Sequence, residues 1–154
     1  DGQTPFTSAV PLFRAMAVAV ERIQDEGIGN RIARHRRQAA AFRAGFAAMG
    51  LERFPTPTGE TELSNTVTAI ALPEPVRADP DAFFDAVAAR NTGISGGQAH
   101  LGGKIFRVSN MGELSDDQVL RGVRVVGEAM VEAGVDVAVD AGVDAASGEL
   151  GATI

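Results

Sequence analysis

The sequence predicts an α+β fold: a small, mainly antiparallel sheet covered by helices and preceded by a long N-terminal helix. Two observations predict it. The periodicities run helix, helix, strand, helix, one or two short strands, helix, a mixed order with short connections. The chain has 154 residues, 45% hydrophobic and 22% charged, which is ordinary globular material with enough length for one real core.

The elements follow in order. Thr7 or Ser8 opens a helical pattern in which Leu12, Met16, Val20 and Ile23 recur about one turn apart, closing at Gly27. Pro11 is tolerable because it falls in the first turn. A second helix starts near Asn30, with Ile32, Ala39, Phe42, Phe46 and Met49 on one stripe and Gly50 as its stop. Pro55 to Gly59 is turn chemistry. Thr66 to Leu72 is rich in β-branched residues and closed by Pro73, so it reads as a strand. Asp79-Pro80 is an N-cap followed by proline in the first turn, starting a helix to about Arg90 with Phe83, Phe84 and Val87 inward. Ile105 to Ser109 is a short strand. Ser115 to Gln118 is a capping box, flanked by Leu114 and Val119 as a hydrophobic staple, and its helix runs to Gly134.

Three segments result: a linking segment and helix over 1–28, a small domain over 29–134, and an acidic tail over 135–154. The tail repeats Val-Asp at 135, 139 and 143 among alanine and glycine, which offer little to bury, so disorder is expected there. The start Asp1-Gly2-Gln3-Thr4-Pro5 has no basic n-region and no Met, and reads as an internal piece of a longer chain.

Charge and composition exclude several roles. Residues 1–110 carry 12 basic and 11 acidic groups, whereas 111–154 carry 2 and 9, which disfavours nucleic acid as a partner of the C-terminal part. There is no cysteine, so disulfides and thiolate zinc sites are excluded. No apolar run reaches membrane-spanning length. A cytoplasmic protein is the expectation.

The densest chemistry lies in Gly96-Gly97-Gln98-Ala99-His100-Leu101-Gly102-Gly103-Lys104-Ile105-Phe106-Arg107. It is not a Walker A loop: the position six before Lys104 is Gln98, and Ile105 stands where the magnesium-holding hydroxyl belongs. Lys104 is the sole lysine, so any imine formed by this chain alone would use it; without a sign of burial, a strand-edge lysine is the default. His100 has no nearby Asp, Ser or Cys to orient it and reads as a polar loop residue. Arg107 shares a strand face with Ile105 and Ser109, while Phe106 and Val108 face the core. A guanidinium held mid-strand suits bidentate binding of a carboxylate; an exposed arginine or an ordinary ion pair is the other reading. The basic run Arg31, Arg34, His35, Arg36 and Arg37 reads by default as a solvated helix face.

Gly96-Gly97-Gln98, Gly103-Lys104-Ile105-Phe106-Arg107-Val108 and Met111-Gly112 together resemble the C-terminal signature of the alanine–glyoxylate and serine–pyruvate aminotransferases, class V enzymes of fold type I. Thr4-Pro5 before a long helix, and Ser64-Asn65-Thr66-Val67-Thr68-Ala69, agree with it; the resemblance covers roughly residues 3 to 133. It implies that Arg107 binds the substrate α-carboxylate and that Thr4 contacts the phosphate of a pyridoxal 5'-phosphate cofactor in the neighbouring subunit of a homodimer. It implies transfer of an amino group from a small amino acid (alanine or serine) to a 2-oxo acid (glyoxylate or pyruvate). The family's Schiff-base lysine has no counterpart, so the chain would be inactive alone. A freestanding α+β module that binds small carboxylates as a regulator is the alternative.

Overall fold

The computed structural model describes residues 6–56, 58–59 and 63–151. They fall into two compact units, Asp1–Arg34 and His35–Ile154.

In the first unit, α1 spans Val10–Glu26 with a proline in its first turn, where the missing N–H breaks no helical bond. Gly27 ends it at φ 80°, a conformation other side chains resist, and its N–H donates to the Ile23 carbonyl at 3.0 Å. Helix α2 spans Ile28–Ala48, starting two residues earlier than the sequence suggests and continuing into the second unit. Glu26 accepts from Arg31 Nη1 at 2.9 Å, Arg34 Nε at 2.6 Å and Arg34 Nη2 at 3.0 Å. The Arg34 hydrogen bond, more than any other influence, holds the Glu26 carboxyl down to about 2 from an ordinary 4.5.

The second unit carries β1 (Arg53–Phe54), β2 (Val67–Ala71), α3 (Glu74–Ala78), α4 (Pro80–Ala89), β3 (Ser95–Gly96), a 3₁₀ turn (Ala99–Leu101), β4 (Ile105–Ser109), α5 (Asp116–Glu132) and α6 (Val139–Gly151). The strands form one antiparallel sheet in the order β1-β2-β4-β3. This is the expected α+β architecture. One sheet face carries Thr68, Ile70, Phe106 and Val108 into a core shared with Phe42, Phe46, Phe83, Val123 and Met130. The Phe106 ring is its hub: Phe46 meets it edge-on at 5.5 Å and Phe83 at 5.6 Å, geometries that add attraction beyond area burial.

Local signals translate directly. The Asp79 carboxylate accepts from the Ala82 N–H at 3.1 Å. Both halves of the Ser115–Gln118 capping box form, at 3.2 and 2.8 Å. The strand expected over Ile105–Ser109 has those bounds.

Two expectations fail. Disorder over 135–154 does not hold for Val139–Gly151, which is helical with Gly142 and Ala146 buried. The small residues that promised little burial instead let α6 come close: a Cβ on Gly142 would collide with the Met49 side chain and lie 2.9 Å from the Gly45 carbonyl oxygen. Val139 and Val143 add partly buried apolar surface, and Arg124 pairs with Asp140 at 3.0 Å. The basic run on α2 is also not a solvated face. Arg31, Arg34 and Arg37 are ion-paired and half-buried, His35 is buried, and Arg36 alone is exposed.

Candidate functional site

Arg107 sits at the centre of β4, flanked by Ala69 on β2 and Ser95 on β3. Cross-strand partners share a face, so Phe54, Ala69, Arg107 and Ser95 form one row across the sheet, on the side away from Ile70 and Phe106. The small residues on either side leave the guanidinium uncrowded. Its Nε and Nη2 both donate to the Gly96 carbonyl, at 3.0 and 2.8 Å. That fork pins the half-buried side chain by one edge. Nη1 and the second Nη2 hydrogen have no partner among the described residues, and no carboxylate lies within ion-pair distance. Arg31, Arg34, Arg37, Arg77, Arg90 and Arg124 all hold carboxylates by contrast. A positioned guanidinium with a vacant end-on edge has the geometry for two parallel N–H···O bonds to a carboxylate.

The loop before β4 serves this placement and not phosphate binding. The amides of Gly97, Leu101, Gly102 and Lys104 donate within the turn itself, to Ile105, Gln98, Ala99 and Leu101 carbonyls at 3.0–3.1 Å. Gly97 is required there, since a Cβ would collide with the Leu101 carbonyl. The closed turn sets Gly96 beside Phe106, and thereby puts the Gly96 oxygen under the Arg107 fork. Lys104 and His100 are both exposed, so neither has the desolvated surroundings that activate a nucleophile or base. Thr4 lies outside the described residues.

Sequence reasoning missed the partners of Arg107. Strand β3 has two residues and no apolar alternation, so nothing local marks Gly96 as an acceptor. It also missed Asn110, 1% exposed, whose Nδ2 donates to the His35 and Asn65 carbonyls at 3.0 Å each and ties the end of β4 to α2. Among the described residues no cluster of His, Cys, Asp or Glu could hold a metal ion, and no helix is long and apolar enough to cross a membrane.

No family profile matches the chain. Individual proteins do. It is 41% identical over 137 residues to an uncharacterised aminotransferase of Methanocaldococcus jannaschii, covering 88% of this chain and 34% of that protein. It is 32% identical over 150 residues to the serine–glyoxylate aminotransferase of Methylorubrum extorquens, covering 97% of this chain and 36% of the relative. Among solved structures, pyridoxamine–pyruvate aminotransferase from Mesorhizobium loti superposes with a TM-score of 0.89 at 30% identity, over 97% of this chain and 38% of that one. The chain belongs with the C-terminal parts of fold type I aminotransferases. It spans about a third of the length of the curated relatives it matches, and it corresponds to their fold type I C-terminal part. In this C-terminal part the row Phe54–Ala69–Arg107–Ser95 is the candidate functional surface.

Proposed function

We propose that the whole protein is a pyridoxal-phosphate-dependent aminotransferase, moving an amino group from a small amino acid such as alanine or serine to glyoxylate or pyruvate. This portion supplies Arg107, which binds the substrate carboxylate. The single observation that carries the reading is the pinned guanidinium with its vacant edge. The acceptors follow from relatives named for them: aspartate–glyoxylate, serine–glyoxylate and pyridoxamine–pyruvate aminotransferases.

The described residues do not by themselves fit the cofactor. The sole lysine is exposed at a turn, and the glycine-rich loop spends its amides internally. The groups that would hold the cofactor therefore belong to residues outside these 154, and the chain alone is inactive. Pyridoxal phosphate, when bound, supplies the electron sink of transamination. Arg107 holds the substrate in one orientation by its carboxylate, so that its reacting carbon does not wander. We assign Thr4 a contact with the cofactor phosphate across a homodimer, and the protein to the cytoplasm.

The test is Arg107→Ala in the full-length enzyme. The expected loss in kcat/KM corresponds to about 2–4 kcal/mol of transition-state binding, with the cofactor retained by absorbance. A kcat/KM equal to that of the parent enzyme would remove Arg107 from the site.

A further inference from the structure

A cavity of about 190 Å³ lies between α2 and the β1–β2 edge of the sheet, lined by Arg43, Arg53, Leu63, Ser64 and Thr68 and by the Phe54-Pro55 corner. Arg53 pairs with Ile70, and Thr68 lies two residues before Ile70 on the same strand, so both are on the helix-facing side. Arg107 is on the opposite side. Two polar atoms here are buried with no hydrogen-bond partner: Nε of Arg53 and the hydroxyl of Thr68, a residue only 3% exposed. Buried donors are rarely left unused in native proteins, and each unmet one is costly.

The charge is not met by an ion pair either. Arg43 Nη1 donates to the Ser64 carbonyl at 3.1 Å, but among the described residues neither Arg43 nor Arg53 holds a carboxylate within ion-pair distance. Burial, and then the positive charge of Arg53, lower the pKa of Arg43; Glu149 acts in the opposite sense. Two cations thus share a small, partly dry space, and among the described residues the anion that acts on Arg43, Glu149, does so without forming an ion pair. The remaining wall is apolar, from Pro55 and Leu63. The volume falls below the roughly 300–1,000 Å³ usual for drug-sized ligands, so the occupant must be small.

We propose that this cavity binds a small aliphatic carboxylate, its oxygens accepting from Arg53, Arg43 and the Thr68 hydroxyl and its tail lying on the apolar wall. A carboxylate is the natural complement, because it accepts at both oxygens and satisfies guanidinium and hydroxyl donors together. The aliphatic tail distinguishes it from a bare inorganic anion. The inference does not rest on the role given to Arg107.

Isothermal titration with isovalerate tests it. The baseline is the full-length protein carrying Arg107→Gln, which removes the other candidate carboxylate anchor. Saturable isovalerate binding is expected, at least about tenfold weaker when Arg53→Gln or the near-isosteric Thr68→Val is added. Inorganic phosphate and 3-methyl-1-butanol, which offer charge without tail and tail without charge, should bind much more weakly. The proposal is overturned by no saturable isovalerate binding, by phosphate binding as tightly, or by an affinity that neither substitution changes. Should Arg53→Gln fail to fold by circular dichroism, Thr68→Val alone decides.

Discussion

Helices α1 and α5 are each 17 residues long and each amphipathic, yet they end up in opposite circumstances. On α5, Val119, Val123, Val126, Ala129 and Met130 are all fully buried in the second unit's core. On α1 no residue is buried, and Leu12 and Met16 are 71% and 58% exposed. The contrast teaches that a 3.6-residue apolar stripe specifies a helix with one face to be covered, but not what covers it. A contiguous exposed apolar face of that kind marks a surface meant for contact.

The sharpest way to break the comparison is a matched pair of truncations. Met130→Ala on α5 should cost about 2–5 kcal/mol by lost burial and a residual cavity, read from urea midpoints. Met16→Ala on α1 is the smallest effect expected, within about 0.5 kcal/mol; a loss comparable to that of Met130→Ala would mean that α1 is covered after all. Between them lies the close approach of α6. Gly142→Ala should cost about 1–3 kcal/mol by overpacking against Met49 and the Gly45 carbonyl. Gly148→Ala, on the same helix with nothing within 4 Å of its Cβ, should instead stabilise by about 0.5–1 kcal/mol. If both substitutions shift the melting temperature the same way, the packing assigned to α6 is wrong.

In the first unit pH acts on the Glu26 ion pairs with Arg31 and Arg34. The Glu26 carboxyl is lowered to about 2 from 4.5. A depressed carboxyl stabilises the fold fully above its unfolded value. That contribution fades as pH falls from 4.5 towards 2. Carboxyl ¹³C shifts should show Glu26 titrating near 2, and closer to 4.5 in Arg34→Gln. A Glu26 titration that Arg34→Gln leaves in place would show that the ion pair does not form in solution.

How far the sequence could be read depended on the range of the interactions involved. The Ser115–Gln118 box, the Asp79 cap and the Gly27 stop join residues at most four apart, and each was legible. Strands β1 and β3, two residues each, exist only because β2 and β4 pair with them, and no local pattern announces them. Arg107 was legible as a mid-strand arginine. Its fork onto Gly96, eleven positions earlier, was not, because that oxygen arrives only when β3 docks on β4.

By itself, then, the sequence determined the stop of α1, the caps of α4 and α5, which side chains alternate across β4, and that Arg107 leaves the sheet opposite Phe106. Caps, glycine conformations and pleat are set by neighbours along the chain. Tertiary structure alone decided that the alanine- and glycine-rich tail folds, that three arginines of α2 are spent on carboxylates, and that Arg107 keeps one edge free. Those outcomes depend on which distant surfaces meet, and the energy that selects them comes from burial and partner choice across the whole fold.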